Sequence, residues 1–367
     1  MMPKLVSGVL APVMALLAAI VITSGVVVFV GASPVDFWEV MLSWPSNRNV
    51  LTVLNQASMI FLSGTAAAIG FRMNLFNIGV EGQYRVASYV AAVFAGGAFL
   101  PGALNIVASI VLAMLAGAAW AAIPAVLKVT RGVSEVISTI MLNAIAVFLT
   151  GYLLSNYGEK AADTRRTTPL EDSTMLGGFK LFEDKDGAVW TLSLLAVVVG
   201  FLFWFIINRT RFGFDLRATG MNESAAVASG VSVKRMVVTA MMLSGAVAGL
   251  IWLPNLFAET ASGNYFSSSV FQSGLGFTGI AVALLGRNNP VGIALGSLLF
   301  AFLGVQSTQL EFAGVDVSND VVLVTQGVIV LTIVIAYEVV GRWRAAADQR
   351  AVRAALDANA NKQEVAA

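Results

Sequence analysis

The stretch G102-ALNIVASIVLAMLAGAAWAAIPAV-L127 contains 26 residues and no Asp, Glu, Lys or Arg. Wound as an α-helix it is about 39 Å long, more than the roughly 30 Å hydrocarbon core of a bilayer. Only a helix or a closed barrel satisfies its own backbone in lipid, and this run is too long and too evenly apolar for an alternating barrel strand. Working outward on both sides, nine more segments of similar character appear. The ten are about 9–30, 51–71, 78–100, 102–127, 133–155, 188–207, 235–256, 267–286, 290–310 and 321–340. The third and eighth carry glycines and polar residues, so each reads either as a full span or as a broken, partly inserted one. The expected fold is an all-α, polytopic transmembrane bundle.

Composition agrees. The chain has 367 residues, 57% hydrophobic and 12% charged, against about 45–50% and about 25% in soluble domains. Mean hydropathy is +0.81. The 34 glycines suit close helix approach in lipid. A net charge of +1 points to no nucleic-acid partner. There is no cysteine and no histidine, which removes thiol nucleophiles, thiolate and imidazole metal sites and His-based proton relays. No metal site or paired catalytic carboxylates are visible, and an enzyme is not expected.

Orientation follows from Lys and Arg. With the N-terminus inside, the inner side takes 15 of the 22 basic residues and the outer side six, with Arg85 left in a span. Both termini are therefore expected in the cytoplasm. The first segment, at about 22 residues, is too long for a signal-peptide core of 7–15 and reads as a retained span. Residues 1–340 form the membrane domain, with an outer loop of about 156–187 and an inner loop of about 208–234. Residues 341–367 read as a charged, Ala-rich cytoplasmic tail.

Three places carry polar chemistry. In N74-LFNIGVEGQYRVAS the groups Asn77, Glu81, Gln83 and Arg85 crowd a membrane boundary between glycines. Glu81 and Arg85, four apart, are spaced to pair on one helix face. Two readings stand: a self-satisfied pair at the interface, or a broken helix whose polar groups line a pathway. In G132-VSEVISTIMLN, Glu135 lies near the inner surface and Asn143 deeper. In the inner loop, Gly220 is read as breaking the chain, Asn222 as an N-cap, and Gly230 as the end of a short helix over about 223–229. That helix reads as an interfacial loop or as a docking helix for a cytoplasmic partner. Glycines at 274, 276, 279, 286, 292 and 296 read as close packing. Their pattern echoes 79–97 followed by 101–117, which implies an inverted repeat. The chain lacks G-x-x-x-x-G-K-[ST], so ATP hydrolysis belongs to a separate subunit.

The motifs N77-IGVEGQ, G132-VSEVISTIMLN and R217-ATGMNESAAVASGVSVKR resemble permease subunits of ABC importers of the branched-chain amino acid/ribose/nucleoside group. They look most like the nucleoside branch, over about residues 50–340. The resemblance implies an ABC ATPase subunit holding ATP and Mg, a second related permease, an extracytoplasmic binding lipoprotein, and alternating access in a bacterial cytoplasmic membrane. It implies that Asn77, Glu81, Gln83 and Asn143 serve the substrate pathway. It makes Arg217, Gly220, Glu223, Ala225, Ala226 and Gly230 the ATPase-coupling residues, although Ser224 interrupts the Glu-Ala-Ala run. A sugar or branched-chain amino-acid permease, and an ion-coupled carrier using Glu81, remain as alternatives.

Overall fold

The computed structural model describes residues 4–161, 164–183, 187–259, 264–315, 317, 320–336, 339–340, 342–343, 346 and 349. The helices are α1 (Lys4–Phe29), α2 (Pro34–Met41), α3 (Asn47–Phe71), α4 (Val80–Gly96), α5 (Gly102–Arg131), α6 (Glu135–Tyr157), α7 (Leu194–Arg209), α8 (Arg211–Met221), α9 (Glu223–Ala228), α10 (Val233–Ala248), α11 (Leu253–Leu256), α12 (Leu275–Leu285) and α13 (Pro290–Phe312). A further apolar helix, α14, covers Asp320–Ala336. Each of the ten expected segments carries a helix. Among the described residues six are long and apolar enough to cross a membrane, and Leu17–Phe29, α12 and α14 are shorter apolar helices. Of the expected tail, 341–367, all but a few residues lie outside the described ones.

The chain divides into two compact units, residues 1–42 with 307–367 and residues 43–306, the division falling inside α13. In the first unit Ser33 caps α2, its Oγ accepting from the Asp36 N–H at 3.3 Å. The Trp38 indole N–H donates to Ser24 Oγ at 2.9 Å, and Phe37 and Met41 are fully buried.

In the second unit α3 is the centre, with 78% of its apolar window buried, and the stretch containing α10 follows at 72%. Helix α12 packs on α3, α10 lies between α5 and α3, and α4 lies between α5 and α6. The α5–α10 contact is backbone on backbone. A Cβ added at Gly117 would stand 2.1 Å from the Gly245 carbonyl oxygen, the small-residue approach that membrane helices use in place of hydrophobic burial. The outward faces of α5, α6 and α7 show Leu115, Ile137, Phe148 and Phe201, side chains that suit lipid.

Two features differ from a plain bundle. The loop after α6 is built, not merely long. Strands β1 (Glu159–Ala161) and β2 (Thr164–Arg166) pair antiparallel, as do β3 (Gly178–Phe179) and β4 (Val189–Trp190). Asn55 of α3 holds β4 at both edges, donating to the Ala188 carbonyl and accepting from the Trp190 N–H. Second, the eighth expected span is helical only over α12, 11 residues or about 16 Å, half a bilayer core. The chain before it is irregular, and its backbone is paired with the loop: Thr167 N–H to the Phe266 carbonyl at 2.9 Å, Leu170 N–H to Asn264, and Leu176 N–H to Phe257. Within a membrane, non-helical backbone is tolerated where protein covers it.

Candidate functional site

The turn from α3 into α4 gathers the sequence-picked polar residues into one buried knot. Asn74 at φ 58 turns the chain back inward. Asn77 then uses its whole amide. Its Nδ2 donates to Gln83 Oε1 at 3.0 Å and to Ser244 Oγ of α10 at 2.8 Å. Its Oδ1 accepts from Gln83 Nε2 at 2.9 Å and from the Gly79 N–H at 3.1 Å. The Ser244 hydroxyl donates in turn to the Ala66 carbonyl of α3. Asn143 of α6 accepts from the Gly82 N–H and donates to the Ile78 carbonyl, both at 2.9 Å. One orphan donor of α4 is met this way. Asn77 and Gln83 are almost wholly enclosed, Glu81 and Asn143 nearly so.

Glu81 does not pair with Arg85 as their spacing suggested. Its Oε1 accepts from the Gly274 N–H at 2.8 Å and its Oε2 from the Gly276 N–H at 2.9 Å. These are the first N–H groups of α12, where a carboxylate meets both the free donors and the positive end of the helix dipole. The fit is close: a Cβ on Gly276 would lie 2.5 Å from the Glu81 nitrogen. The Tyr84 hydroxyl donates to the Gln272 carbonyl at 2.5 Å and stands 3.2 Å from Glu81 Oε1. Arg85 instead lies over the Phe271 ring, 4.3 Å from its centre. Sequence spacing favoured the local partner; tertiary structure offered Glu81 a stronger one nearly two hundred residues away.

Glu135 Oε2 accepts from Lys128 Nζ at 2.6 Å across the α5–α6 turn.

The second cluster is the α8–α9 corner. Thr210 caps α8, accepting from the Gly213 N–H. Gly220 does not break the chain; it lies within the last turn of α8. Its missing side chain serves packing, since a Cβ there would stand 2.7 Å from the Arg72 carbonyl and 2.9 Å from Met73 Cα. Arg217 donates to the Ile207 carbonyl in the last turn of α7. Arg72, in the turn after α3, donates through Nε and Nη2 to the Asn288 carbonyl at 3.1 and 2.7 Å. Burial, and then the Arg217 charge, hold the Arg72 guanidinium below its ordinary pKa. Asn222 caps α9, its side chain accepting from the Ala225 N–H at 3.0 Å. Helix α9 ends in a full Schellman closure, Val231 N–H to Ala226 carbonyl and Gly230 N–H to Val227 carbonyl, with Gly230 at φ 83. Ala226 is buried beneath; Glu223, Ala225 and Val227 face outward.

Sequence reading missed helix α8, the Ser244 link, and the α12 amides that hold Glu81. Thr210 three residues before Gly213 was the one local signal, a cap; the other two involve partners remote in the chain. Among the described residues no group of three or more His, Cys, Asp and Glu gathers to hold a metal.

Residues 49–336 match the family model described as branched-chain amino acid transport system / permease component. The guanosine ABC transporter permease protein NupP of Bacillus subtilis is 36% identical over 288 residues, 78% of this chain and 81% of that protein. The glucose ABC transporter permease protein TsgB13 of Haloferax volcanii is 31% identical over 82% of this chain and 81% of its own. The nucleoside ABC transporter permease protein NupB of Lactococcus lactis is 29% identical over 80% and 82%. No solved structure matches. With a family match over most of its length and a membrane-spanning helical bundle, the chain belongs to the branched-chain amino acid transport system permease component family and is a multi-pass permease subunit of an ABC importer.

Proposed function

We propose that this subunit carries nucleosides inward across a bacterial cytoplasmic membrane, both termini facing the cytoplasm, with ATP and Mg bound on a partner ATPase. The coupling half of this reading rests on one observation, the rigid α8–α9 corner. Helix α9 is capped at both ends and presents Glu223, Ala225 and Val227 outward, while Gly220 seats α8 on the Arg72–Met73 turn. Four residues after Met73 the chain reaches Asn77 and, with Glu81, Gln83 and Asn143 of α6, the knot. A push on α9 thus has a short, packed route into the membrane. In this reading Arg217 and Gly220 anchor the corner, Glu223 and Ala225 meet the ATPase, and Ala226 and Gly230 fix the helix between them. The knot holds the wall of the substrate pathway. A second related permease completes that pathway, and an extracytoplasmic binding lipoprotein delivers the solute.

The nucleoside assignment is supported by the relatives named for guanosine and nucleosides. The relative named for glucose favours a sugar as the second reading. The test is uptake of labelled guanosine and uridine by cells expressing the assembled complex. ATP-dependent accumulation, unaffected by excess glucose or leucine, is the expected result. Accumulation of glucose instead would move the assignment to sugars. Uptake by this chain alone, insensitive to ATP depletion, would overturn the ABC mechanism in favour of an ion-coupled carrier.

A further inference from the structure

Helix α4 is enclosed around most of its circumference, but one stripe stays open. Arg85, Tyr89 and Val93 follow one another at four-residue spacing, with Val86 and Val90 beside them; Val93 is 43% exposed. Residues four apart share one helix face. This stripe lies at membrane depth, because Arg85 is one turn beyond Glu81, and Glu81 sits on the N-terminal end of α12, about 16 Å from the end that leads into the inner turn at Arg287.

Arg85 is short of partners. The nearest carboxylate in sequence, Glu81, is committed to the Gly274 and Gly276 amides. Among the described residues no carboxylate lies within ion-pair distance of Arg85. Its Nε is shut off from solvent without an acceptor; its guanidinium lies over the Phe271 ring, and Tyr84 and Glu81 act on it electrostatically without a hydrogen bond to it. Tyr89 packs edge-on against Phe266 at 5.6 Å, and its hydroxyl has no hydrogen-bond partner among the described residues. An arginine always carries its charge. A charged group within a membrane protein faces the bundle interior or water, not lipid. A cation–π contact covers one face of the guanidinium and leaves its edge donors unused.

We infer that the Arg85–Tyr89–Val93 stripe is a wall of the solute pathway and that Arg85 is its solute-contacting, specificity-determining residue. The inference rests on the permease reading above. It assigns a solute rich in oxygen acceptors and without positive charge, which Arg85 would bind through its edge N–H groups while repelling cations.

The chain has no cysteine, so a single Val93→Cys reports this stripe directly. The assembled complex in membrane vesicles is treated with a membrane-impermeant anionic methanethiosulfonate and, separately, its cationic counterpart. Both should react, and, relative to each reagent's rate with a free thiol in solution, the anion should gain on the cation. Arg85→Ala on the Val93→Cys background should shrink that rate ratio by roughly fivefold, as removal of one nearby charge requires. Tyr89→Cys, one turn nearer, repeats the measurement should the first variant assemble poorly. Absence of labelling in a complex whose control surface cysteine reacts would overturn the inference and turn the stripe toward lipid or the second permease. Labelling with a charge ratio that Arg85→Ala does not move would overturn the role of Arg85. Neither arm needs the solute to be known, so failure of nucleoside uptake would leave this result standing and strike only the substrate assignment.

Discussion

The α4 knot and the α8–α9 corner are both polar, both rich in Asn, Glu and Gly, and built on opposite plans. Every hydrogen bond that makes α9 spans five residues or fewer: Asn222 to Ala225 at one end, Val231 to Ala226 at the other. The knot has a local set, Asn77 with Gln83 and Gly79, but it is tied into the bundle by partners far apart in the chain. Gly82 and Asn143 are 61 residues apart, Asn77 and Ser244 167, and Glu81 and Gly276 195. The corner is solvated and each of its bonds competes with water. The knot is dry, so each of its groups is costly to leave unpaired. A local, wet element can be touched by a partner and still keep its shape. A remote, dry one transmits a shift because none of its members can move alone.

The comparison breaks hardest at Glu81. Glu81→Ala strips the acceptor from two N–H donors at the start of α12, Gly276 buried and Gly274 partly so; a buried donor left unpaired costs about 1–3 kcal/mol. Uptake should fall at least tenfold, and the complex should melt at a lower temperature. Glu81→Gln keeps one acceptor oxygen and should lose less on both measures. Thermal unfolding of the purified complex alongside uptake checks this. Wild-type melting with lost uptake would make Glu81 a solute contact and not the anchor of α12.

The next largest effect is expected where the two regions meet. Gly220→Val drives a side chain into the Arg72–Met73 backbone, an overpacking that costs roughly 1–3 kcal/mol. The corner must lift off the turn or the turn must shift. Uptake should drop severalfold while ATPase co-purification persists, since the outward residues of α9 are untouched. Loss of co-purification would mean that the seat on Arg72 is part of the docking surface itself.

The same contrast decides what the sequence discloses. Asn222, Glu223 and Gly230 name a helix with both its ends because capping chemistry lies within a few residues. The apolar segments are legible for a similar reason, the length the bilayer asks of a span, although α12 is helical over only 11 residues. Asn77, Glu81, Gln83 and Asn143 are legible as out of place, since polar groups in an apolar stretch demand partners, but not as to which partners. Glu81 shows the limit. Four-residue spacing points to Arg85, while the winning donors are backbone amides of Gly274 and Gly276, which no side-chain pattern announces. Gly220 misleads in the same way. A glycine in a polar loop reads as a break, and only the arrival of Arg72 from a distant turn makes it a contact.

The corner itself should yield smaller and separable effects. Glu223→Arg reverses the charge on an exposed residue in the first turn of α9. It loses a favourable dipole contact of about 0.3–1 kcal/mol and presents the ATPase with the wrong sign. Uptake and ATPase retention should fall severalfold with the melting temperature unchanged. Asn222→Ala should do less, and in the other order. It removes the cap on the Ala225 N–H, about 1 kcal/mol of local helix stability, and alters no outward charge. Helix α9 frays at its start, and retention of the ATPase weakens by a few-fold. Asn222→Asp keeps a capping oxygen and should restore it. If Asn222→Ala instead lowers melting of the whole complex as far as Glu81→Ala does, α9 is not a local element, and its stability is tied to the knot.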